Sequence, residues 1–316
     1  MANLKAIRQR IKSVQATQKI TRAMRMVAAA KVRRAQARNL AARPFTKAVV
    51  EMLSAAVEEI NSVDLYGLPL LKARPVKKVA LIILSSDRGL CGSYNTNVFR
   101  EALSRIQTLE AEGKQPSLIL VGLKAVAFFK SLKIEKLKTY TLLPAIPTVE
   151  EAKLISEQAS SFFIEGTVDA IELIGTLFIS LLRSRVDRIT YLPATLTNLQ
   201  SELAISQTDA EIAAAKSSAD DSVNSGRLVP VRLFEPSILE VMSQQLIPKY
   251  LGNVIYQALL DASASELAAR MNAMTNASNN ARDLISSLTL HYNKARQSGI
   301  TQDLLEIVGG AEALRG

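Results

Sequence analysis

The chain contains a single cysteine, a single histidine and no tryptophan among its 316 residues. One cysteine, Cys91, excludes an internal disulfide framework and a cysteine-rich zinc site. One histidine, His291, argues against histidine-based metal sites and catalytic triads. These counts are typical of a reducing compartment such as the cytoplasm. Aromatic residues make up only 5% of the chain, and its apolar weight in Ala, Leu, Ile and Val favours long helices and a buried sheet.

Acidic residues are absent from the first fifty positions, which also hold no proline before Pro44. The same stretch contains thirteen cations: Lys5, Arg8, Arg10, Lys12, Lys19, Arg22, Arg25, Lys31, Arg33, Arg34, Arg38, Arg43 and Lys47. The remaining 266 residues carry 26 basic and 29 acidic side chains, a net charge of −3. The pattern predicts a basic helix on a nearly neutral body. Such a helix needs an acidic partner, which is nucleic acid, anionic lipid or acidic protein.

No apolar stretch is long enough to span a bilayer. The longest strongly apolar runs are Val79–Leu84 and Leu173–Leu182, whereas a transmembrane helix needs about 20 such residues. The cationic N-terminus lacks the apolar core of a secretory signal, and its helical pattern runs beyond the length of an ordinary transit peptide. We therefore expect any work at a membrane to proceed through partners.

Residues 1–66 are predicted to form an N-terminal coiled-coil helix. Its apolar positions alternate three- and four-residue spacing and then resume out of step, at Leu4, Ile7, Ile11 and Val14 and again at Ile20, Met24 and Val27. This pattern indicates a coiled-coil stripe with a stutter. Pro44 is expected to kink the helix, because a proline removes one hydrogen bond and clashes with the preceding turn.

Residues 76–198 are predicted to form a small Rossmann-like α/β domain after a linker at 67–75. Buried strands are expected at Val79–Leu84 and Ser117–Val121, and a hairpin at Ala170–Ser180 and Arg185–Pro193. Helices are expected at Asn95–Ala111, Lys124–Ser131 and Val149–Phe163. This alternation of strands and helices favours a mostly parallel sheet.

Residues 237–316 are predicted to form a C-terminal coiled-coil helix, after an exposed excursion at 199–230. Nine positions alternate four- and three-residue spacing without an error: Leu267, Met271, Met274, Ser278, Ala281, Ile285, Leu288, Tyr292 and Ala295. The expected fold is a mixture of α+β and α/β, in which the terminal helices pair as a long antiparallel coiled coil. The longer C-terminal helix should protrude as a single helix.

No constellation of catalytic or metal-binding residues emerges from the spacing. The turn Ser85–Gly92 follows the first buried strand, where doubly wound folds bind phosphates, but it matches neither GxGxxG nor GxxxxGK(S/T). A structural turn is the favoured interpretation and a ligand loop the alternative. Cys91 is interpreted as a small buried thiol, and His291 as a solvated residue on a helix surface.

The basic helix favours a protein partner over nucleic acid or a membrane surface. Residues 1–43 contain no aromatic side chain on which bases could stack. A membrane-surface helix would carry Phe, Trp or Leu on its apolar face, whereas this stripe is narrow and rich in Ala. The alternative function is a basic coiled-coil adaptor on nucleic acid or an anionic membrane, which salt-sensitive binding to DNA or vesicles would support.

Several motifs together resemble those of a known family. They are Gln18–Met24, Met26–Lys31, Ser86–Gly92 with Asn95, Ala268–Met271, Tyr292–Gln297, Ile300–Gln302 and Glu306–Ala311. In this order they resemble the γ subunit of rotary F-type ATP synthases, of the cyanobacterial type. The resemblance spans the whole chain except residues 199–230.

The resemblance implies the central rotor shaft of the F1Fo ATP synthase, which couples proton-driven rotation of the c-ring to ATP synthesis at the β-subunit sites. One copy would stand inside the α3β3 hexamer and contact the ε subunit and the c-ring, and it would help to regulate ATPase activity. The family implies no catalytic site, cofactor or metal on this subunit and no nucleic-acid partner. Membrane contact would run only through the c-ring, at the cytoplasmic face of the thylakoid membrane. The implied rotor–stator contacts are Met24, Arg25, Met26, Arg270, Arg296, Gln297 and Thr301.

The excursion at 199–230 departs from typical bacterial relatives and resembles an insertion in photosynthetic ones. Chloroplast forms place two cysteines there as a redox switch, and this segment has none. We expect the insertion to restrain wasteful ATP hydrolysis in the dark. Deleting residues 198–225 should therefore relieve inhibition by ADP, measured as ATP hydrolysis by the assembled enzyme. Inhibition that stays unchanged would contradict a regulatory role.

Overall fold

A computed structural model of the chain describes residues 2–59, 68–72, 74–194 and 237–313. The predicted excursion at 199–230 lies outside the described residues. The chain divides into two units. Unit 1 comprises Met1–Val32, Leu90–Gly92 and Leu267–Gly316, and unit 2 comprises Arg33–Gly89 and Ser93–Glu266.

Two long helices enclose an alternation of strands and shorter helices in the chain order. The elements are α1 (Ala2–Glu59), β1 (Lys78–Leu84), α2 (Tyr94–Ala111), β2 (Gln115–Val121), α3 (Leu123–Phe129), β3 (Glu135–Tyr140), α4 (Val149–Ile164), β4 (Ala170–Phe178), β5 (Ser184–Leu192), α5 (Ile238–Val241), a π-helical turn (Met242–Leu246) and α6 (Ile247–Ala313). The predicted long terminal helices and the central α/β segment are confirmed.

Unit 2 is built around a five-stranded sheet with the order β3-β2-β1-β4-β5. The first four strands are parallel, and β5 runs antiparallel to β4 as the predicted hairpin. β1 is the central strand, and its apolar run is buried on both faces, as its composition predicts. Val79, Leu81 and Ile83 belong to the core under α2 and α3. The residues between them contribute to a second core, which α1, α4 and α6 complete.

The edge strand β3 was missed by the sequence analysis. Its residues Glu135–Tyr140 include three charged side chains and no buried apolar run, and most of them are exposed. A strand at the edge of a sheet is specified by backbone pairing with its neighbour rather than by its own burial. Here that neighbour is β2, which pairs with β3 in parallel with one register shift between Leu118 and Ile119.

The two long helices pair antiparallel inside unit 2. The Asn39 side chain of α1 donates to Asp261 of α6, whereas Thr46, seven residues later on α1, accepts from Asn253, eight residues earlier on α6. Partner numbers fall along α6 as they rise along α1, which is the signature of antiparallel packing. Inside unit 1 the same two helices are joined by a hydrogen bond from Gln18 Nε2 to the carbonyl of Ser278.

The predicted stutter in α1 is wrong. The least exposed positions continue in one heptad register: Leu4, Ile7, Ile11, Val14, Gln18, Thr21, Arg25, Ala28, Val32, Ala35 and Asn39. Ile20 and Val27, which were assigned to the stripe, are 60% and 57% exposed. The sequence pattern shifts out of step because polar residues at 18, 21 and 25 occupy seam positions, while apolar residues beside them face outward.

The predicted stripe of α6 is confirmed. Leu267, Met274, Ser278 and Ala281 are buried, and the other five positions are half-buried among exposed neighbours. The helix ends at Ala313. Pro44 lies inside the continuous α1. Pro248 is the second residue of α6 and directly follows the π-helical turn.

An arginine ties the segment before β1 to the loop before β4. Arg74 Nε lies 3.2 Å from Asp169 Oδ1, and the guanidinium donates to the carbonyls of Phe163 and Val168. Burial by itself raises the pKa of Asp169. The backbone N–H groups of Lys78 and Lys77, together with the charge of Arg74, outweigh this effect and hold that pKa below its usual value.

None of the described helices is both long and apolar enough to cross a membrane. Across the described ranges, no group of His, Cys, Asp and Glu side chains is placed to hold a metal ion.

Gly122 offers a test of the connection between β2 and α3. Its φ is +97°, and a Cβ there would lie 2.5 Å from the carbonyl oxygen of Ser85. Gly113 has φ +71° and open space around it, so it isolates the cost of the backbone conformation. We expect Gly113→Ala to lower the free energy of unfolding by about 1 kcal/mol. Gly122→Ala should lower it by about 3 kcal/mol or more, because the clash is added.

Urea unfolding of the two variants, followed by circular dichroism, measures this difference. Equal unfolding midpoints for the two variants would contradict the close approach between Gly122 and Ser85.

Candidate functional site

The loop after β1 is held by hydrogen bonds among its own residues and to Asn95 of α2. The Ser86 N–H donates to Asn95 Oδ1 at 3.1 Å, and Asn95 Nδ2 donates back to the Ser86 hydroxyl at 2.8 Å. The same hydroxyl donates to the carbonyl of Arg88 at 2.7 Å. Asn95 lies in the first turn of α2, so the start of that helix fixes the loop. This geometry supports the structural interpretation of the turn.

Side chains of the loop after β1 bind the start of α3. Asp87 Oδ1 accepts the N–H of Leu123, the first residue of α3, at 2.8 Å. The Ser85 hydroxyl accepts the N–H of Ala125 at 3.0 Å. A phosphate-binding loop at this place in the chain would instead hold its anion at the start of α2, where Ser93 forms no side-chain capping bond. The bonds to α3 support the structural interpretation of the turn.

The end of this motif belongs to unit 1. Cys91 is 2% exposed, which confirms the interpretation as a buried thiol. A Cβ on Gly92 would lie 3.8 Å from the Cβ of Ala273, so the loop packs closely on α6. Leu90 adopts φ +64° although it is not glycine, and its side chain is exposed. An apolar residue held in this costly conformation at a surface is typical of a functional contact.

Most cations of α1 in unit 1 are exposed, whereas Arg25 and Lys31 are half-buried. Lys5, Arg8, Arg10, Lys12, Lys19 and Arg22 are exposed. Within the described part of the chain, none of these six side chains forms an ion pair. Their charge is therefore not neutralised by the fold, and it remains available to an acidic partner.

All seven residues that the family resemblance singles out lie in unit 1. Met24 and Arg25 are half-buried and Met26 is 57% exposed. Arg270 is half-buried, whereas Arg296, Gln297 and Thr301 are exposed. The Thr301 hydroxyl donates to the Gln297 carbonyl one turn earlier, at 3.0 Å.

The hydrogen bond between Gln18 and Ser278 shows which residues of α1 and α6 lie opposite one another along the helix axis. Seven residues after Gln18 is Arg25, and seven residues before Ser278 is Met271. Arg25 therefore lies level with Met271, beside Arg270. Counting on in the same way, the first residues of α1 lie opposite the region of α6 around Ala295, and α1 does not extend beyond it. Arg296, Gln297 and Thr301 consequently lie on a part of α6 that has no described helix of unit 1 beside it.

This unpaired end of α6 carries apolar side chains that nothing in the described part of unit 1 covers. From residue 301 to Ala311 every position is exposed. Five large apolar side chains of this region are 52% to 67% exposed, namely Ile300, Leu304, Leu305, Ile307 and Val308. Exposed apolar residues in such density mark a contact with another molecule.

Sequence reasoning missed two exposed apolar residues on α1, Ile20 and Val27. Both were assigned to the helix seam. Continuing the heptad count from Val14 through Gln18 and Thr21 would have placed them outside it, because polar residues are tolerated at seam positions of a coiled coil.

Comparison with known proteins agrees with the motifs. A family model described as ATP synthase matches residues 3–314. The ATP synthase gamma chain of Thermosynechococcus vestitus is 46% identical, with 100% of both chains covered. That of Nostoc punctiforme is 45% identical over 99% of this chain and 100% of its own.

Solved structures share the fold at lower identity. A chain of the Euglena gracilis mitochondrial ATP synthase, from a structure of OSCP, F1 and c-ring, matches with a TM-score of 0.65 and 19% identity, covering 99% of this chain and 95% of its own. A chain of the Tetrahymena thermophila mitochondrial ATP synthase central stalk and c-ring matches with a TM-score of 0.55 and 24% identity, covering 82% and 99%. The family match over nearly the whole length and the identity to cyanobacterial relatives together show that the chain belongs to the ATP synthase gamma chain family.

Proposed function

We propose that this chain is the central rotor shaft of an F1Fo ATP synthase and couples proton-driven rotation of the c-ring to ATP synthesis at the β subunits. The observation that carries the proposal is the unpaired end of α6, where large apolar side chains are exposed on a continuous helix. A single helix with this surface is marginal in water and gains stability from an apolar surrounding. The α3β3 hexamer provides such a sleeve.

The cationic face of α1 supports the same assignment. Six unneutralised cations around a narrow helix fit a stator that presents acidic loops at several angles. Rotation requires free-energy minima of similar depth at each angle of the shaft. Each 1.4 kcal/mol by which one minimum is deeper than the others slows the step out of it about tenfold. Exposed charges meet this requirement, since pairs between solvated ions contribute roughly 1 kcal/mol or less.

The finer assignments extend this proposal. Met24, Arg25, Met26, Arg270, Arg296, Gln297 and Thr301 make the rotor–stator contacts. One copy of the chain contacts the ε subunit and the c-ring, and it reaches the membrane only through the c-ring, at the cytoplasmic face of the thylakoid. The chain carries no catalytic site of its own, so ATP forms on the β subunits.

Rotation of the chain is the direct test of the shaft. Cys91 is buried, so a bead requires an engineered thiol such as Lys133→Cys, at an exposed position of unit 2. In complexes with α and β fixed to glass, added ATP should turn the bead in one direction with three pauses per turn. ATP hydrolysis with a motionless bead would contradict the rotor. Salt-sensitive binding to DNA or anionic vesicles without assembly would support a basic adaptor instead.

Met24→Lys tests the rotor–stator contact. The half-buried Met24 lies beside Arg25, and a new cation there should trap the shaft at one angle against an acidic loop. We expect proton-driven ATP synthesis to fall several-fold. Unfolding free energy should change by less than about 1.5 kcal/mol, because a lysine stem can lie along the surface.

Ala30→Lys is the matched control, since it adds the same charge at an exposed position one and a half turns later on α1. Its ATP synthesis should stay close to that of the unmodified enzyme. Unchanged synthesis in Met24→Lys, or equal losses in both variants, would remove Met24 from the contact.

A further inference from the structure

Three polar side chains meet inside the apolar seam between α1 and α6 in unit 2. Asn39 is 4% exposed and Asp261 is 8% exposed. Asn39 Nδ2 donates to Asp261 Oδ1 at 2.6 Å, and Gln257 Nε2 donates to Asn39 Oδ1 at 2.7 Å. Asn39 thus holds two residues of α6 that are one helical turn apart.

The chemistry of these groups fixes their orientation. A carboxylate only accepts hydrogen bonds, so the Asn39 nitrogen must face Asp261, and its oxygen is left for Gln257. The arrangement is imperfect, because the buried Gln257 Oε1 has no hydrogen-bond partner among the described residues. A buried polar group with an unmet bond reduces stability, so its presence in a helix seam indicates a role in specificity.

The neighbouring seam holds a further polar contact between the two helices, from Asn253 to Thr46. On the other side of the cluster, Ala264 lies one heptad after Gln257 and is fully buried, and its small side chain makes a shallow knob. A shift of the helices by one heptad would keep the same faces together and move them by about 10 Å along the axis.

The polar cluster opposes the shift in both directions. One direction would bring Ala264 opposite Asn39 and leave its amide buried without a partner. The other would bring Asp261 opposite the α1 position one heptad before Asn39, which is Val32 and offers no donor. A buried group that loses its hydrogen bonds is costly, and a buried carboxylate most of all.

We propose that Asn39, bound to Asp261 and Gln257, sets the axial register of α1 against α6 and thereby keeps the shaft from shortening or slipping under torque. Asn39 acts as a positioning residue. The effect on torque rests on the proposed rotor function. The axial register of α1 against α6 is measured independently of rotation.

Asn39→Leu is the decisive variant. In the native register it leaves Asp261 without the Asn39 amide. In the register that brings Ala264 opposite residue 39, the new leucine packs on an apolar surface and Asp261 faces the Thr46 hydroxyl. We therefore expect a second population that is displaced in this one direction.

Spin labels report the register directly. Cysteines replace Arg33 on α1 and Lys249 on α6, both exposed, while the buried Cys91 stays in place. Because the labels lie far apart along the axis, the expected shift lengthens their separation by most of about 10 Å. Double electron–electron resonance on the assembled complex should show one separation when residue 39 is the native asparagine and two in the Asn39→Leu variant.

Two matched variants separate register from folding. Asn39→Gln keeps a donor and an acceptor and should retain the single native separation. Val50→Leu adds bulk at another buried seam position without touching a polar group, and it should also retain it. If Asn39→Leu does not assemble, Asn39→Ala removes the same bonds with a smaller side chain and should show the second separation.

The functional readout is the ratio of ATP-driven proton transport to ATP hydrolysis in vesicles. We expect Asn39→Leu to lower this ratio at least twofold while hydrolysis is retained. A single native separation in both Asn39→Leu and Asn39→Ala would overturn the register lock. Two separations with an unchanged ratio would overturn its role in coupling and leave the rotor assignment to the rotation measurement.

Discussion

Burial of one heptad stripe on each long helix is the interaction on which the rest of the structure depends. Within unit 1 the stripes of α1 and α6 are joined at Gln18 and Ser278, and within unit 2 at Asn39 and Asp261. Long helices of this length gain little from propensity alone and need a partner along one face. Once that face is buried in the seam, the other faces can carry charged side chains on α1 and exposed apolar side chains on α6.

The α/β part of unit 2 holds the helix pair in place. Its central strand is buried on both sides, and one of its two cores includes residues from α1 and α6. The loop after β1 uses Ser86, Asp87 and Asn95 to bind its own backbone and the start of α3. These hydrogen bonds make the loop part of the structural framework of unit 2.

Polarity within the seam sacrifices stability for a defined geometry. Apolar residues at 39, 257 and 261 would pack without unmet hydrogen bonds, yet the chain keeps an amide, a second amide and a carboxylate there. A shaft that transmits torque depends on a single axial register more than on maximal stability.

The sequence by itself determined the two long helices, the buried strands and the family, because these depend on periodicity, continuous apolar runs and ordered motifs that local composition records. It also identified the stripe of α6, since nine apolar or small residues keep the register without interruption. Only the tertiary structure decided which stripe of α1 is buried. Gln18, Thr21, Arg25 and Asn39 occupy seam positions where a polar side chain interrupts the apolar heptad pattern. Gln18 and Asn39 bind residues of α6 that lie more than two hundred positions away in the sequence. The edge strand β3 was equally invisible, because backbone pairing with β2 specifies it and its own side chains do not. Contacts of long sequence separation carry no local signature, and for that reason the register of the helix pair had to be read from the fold.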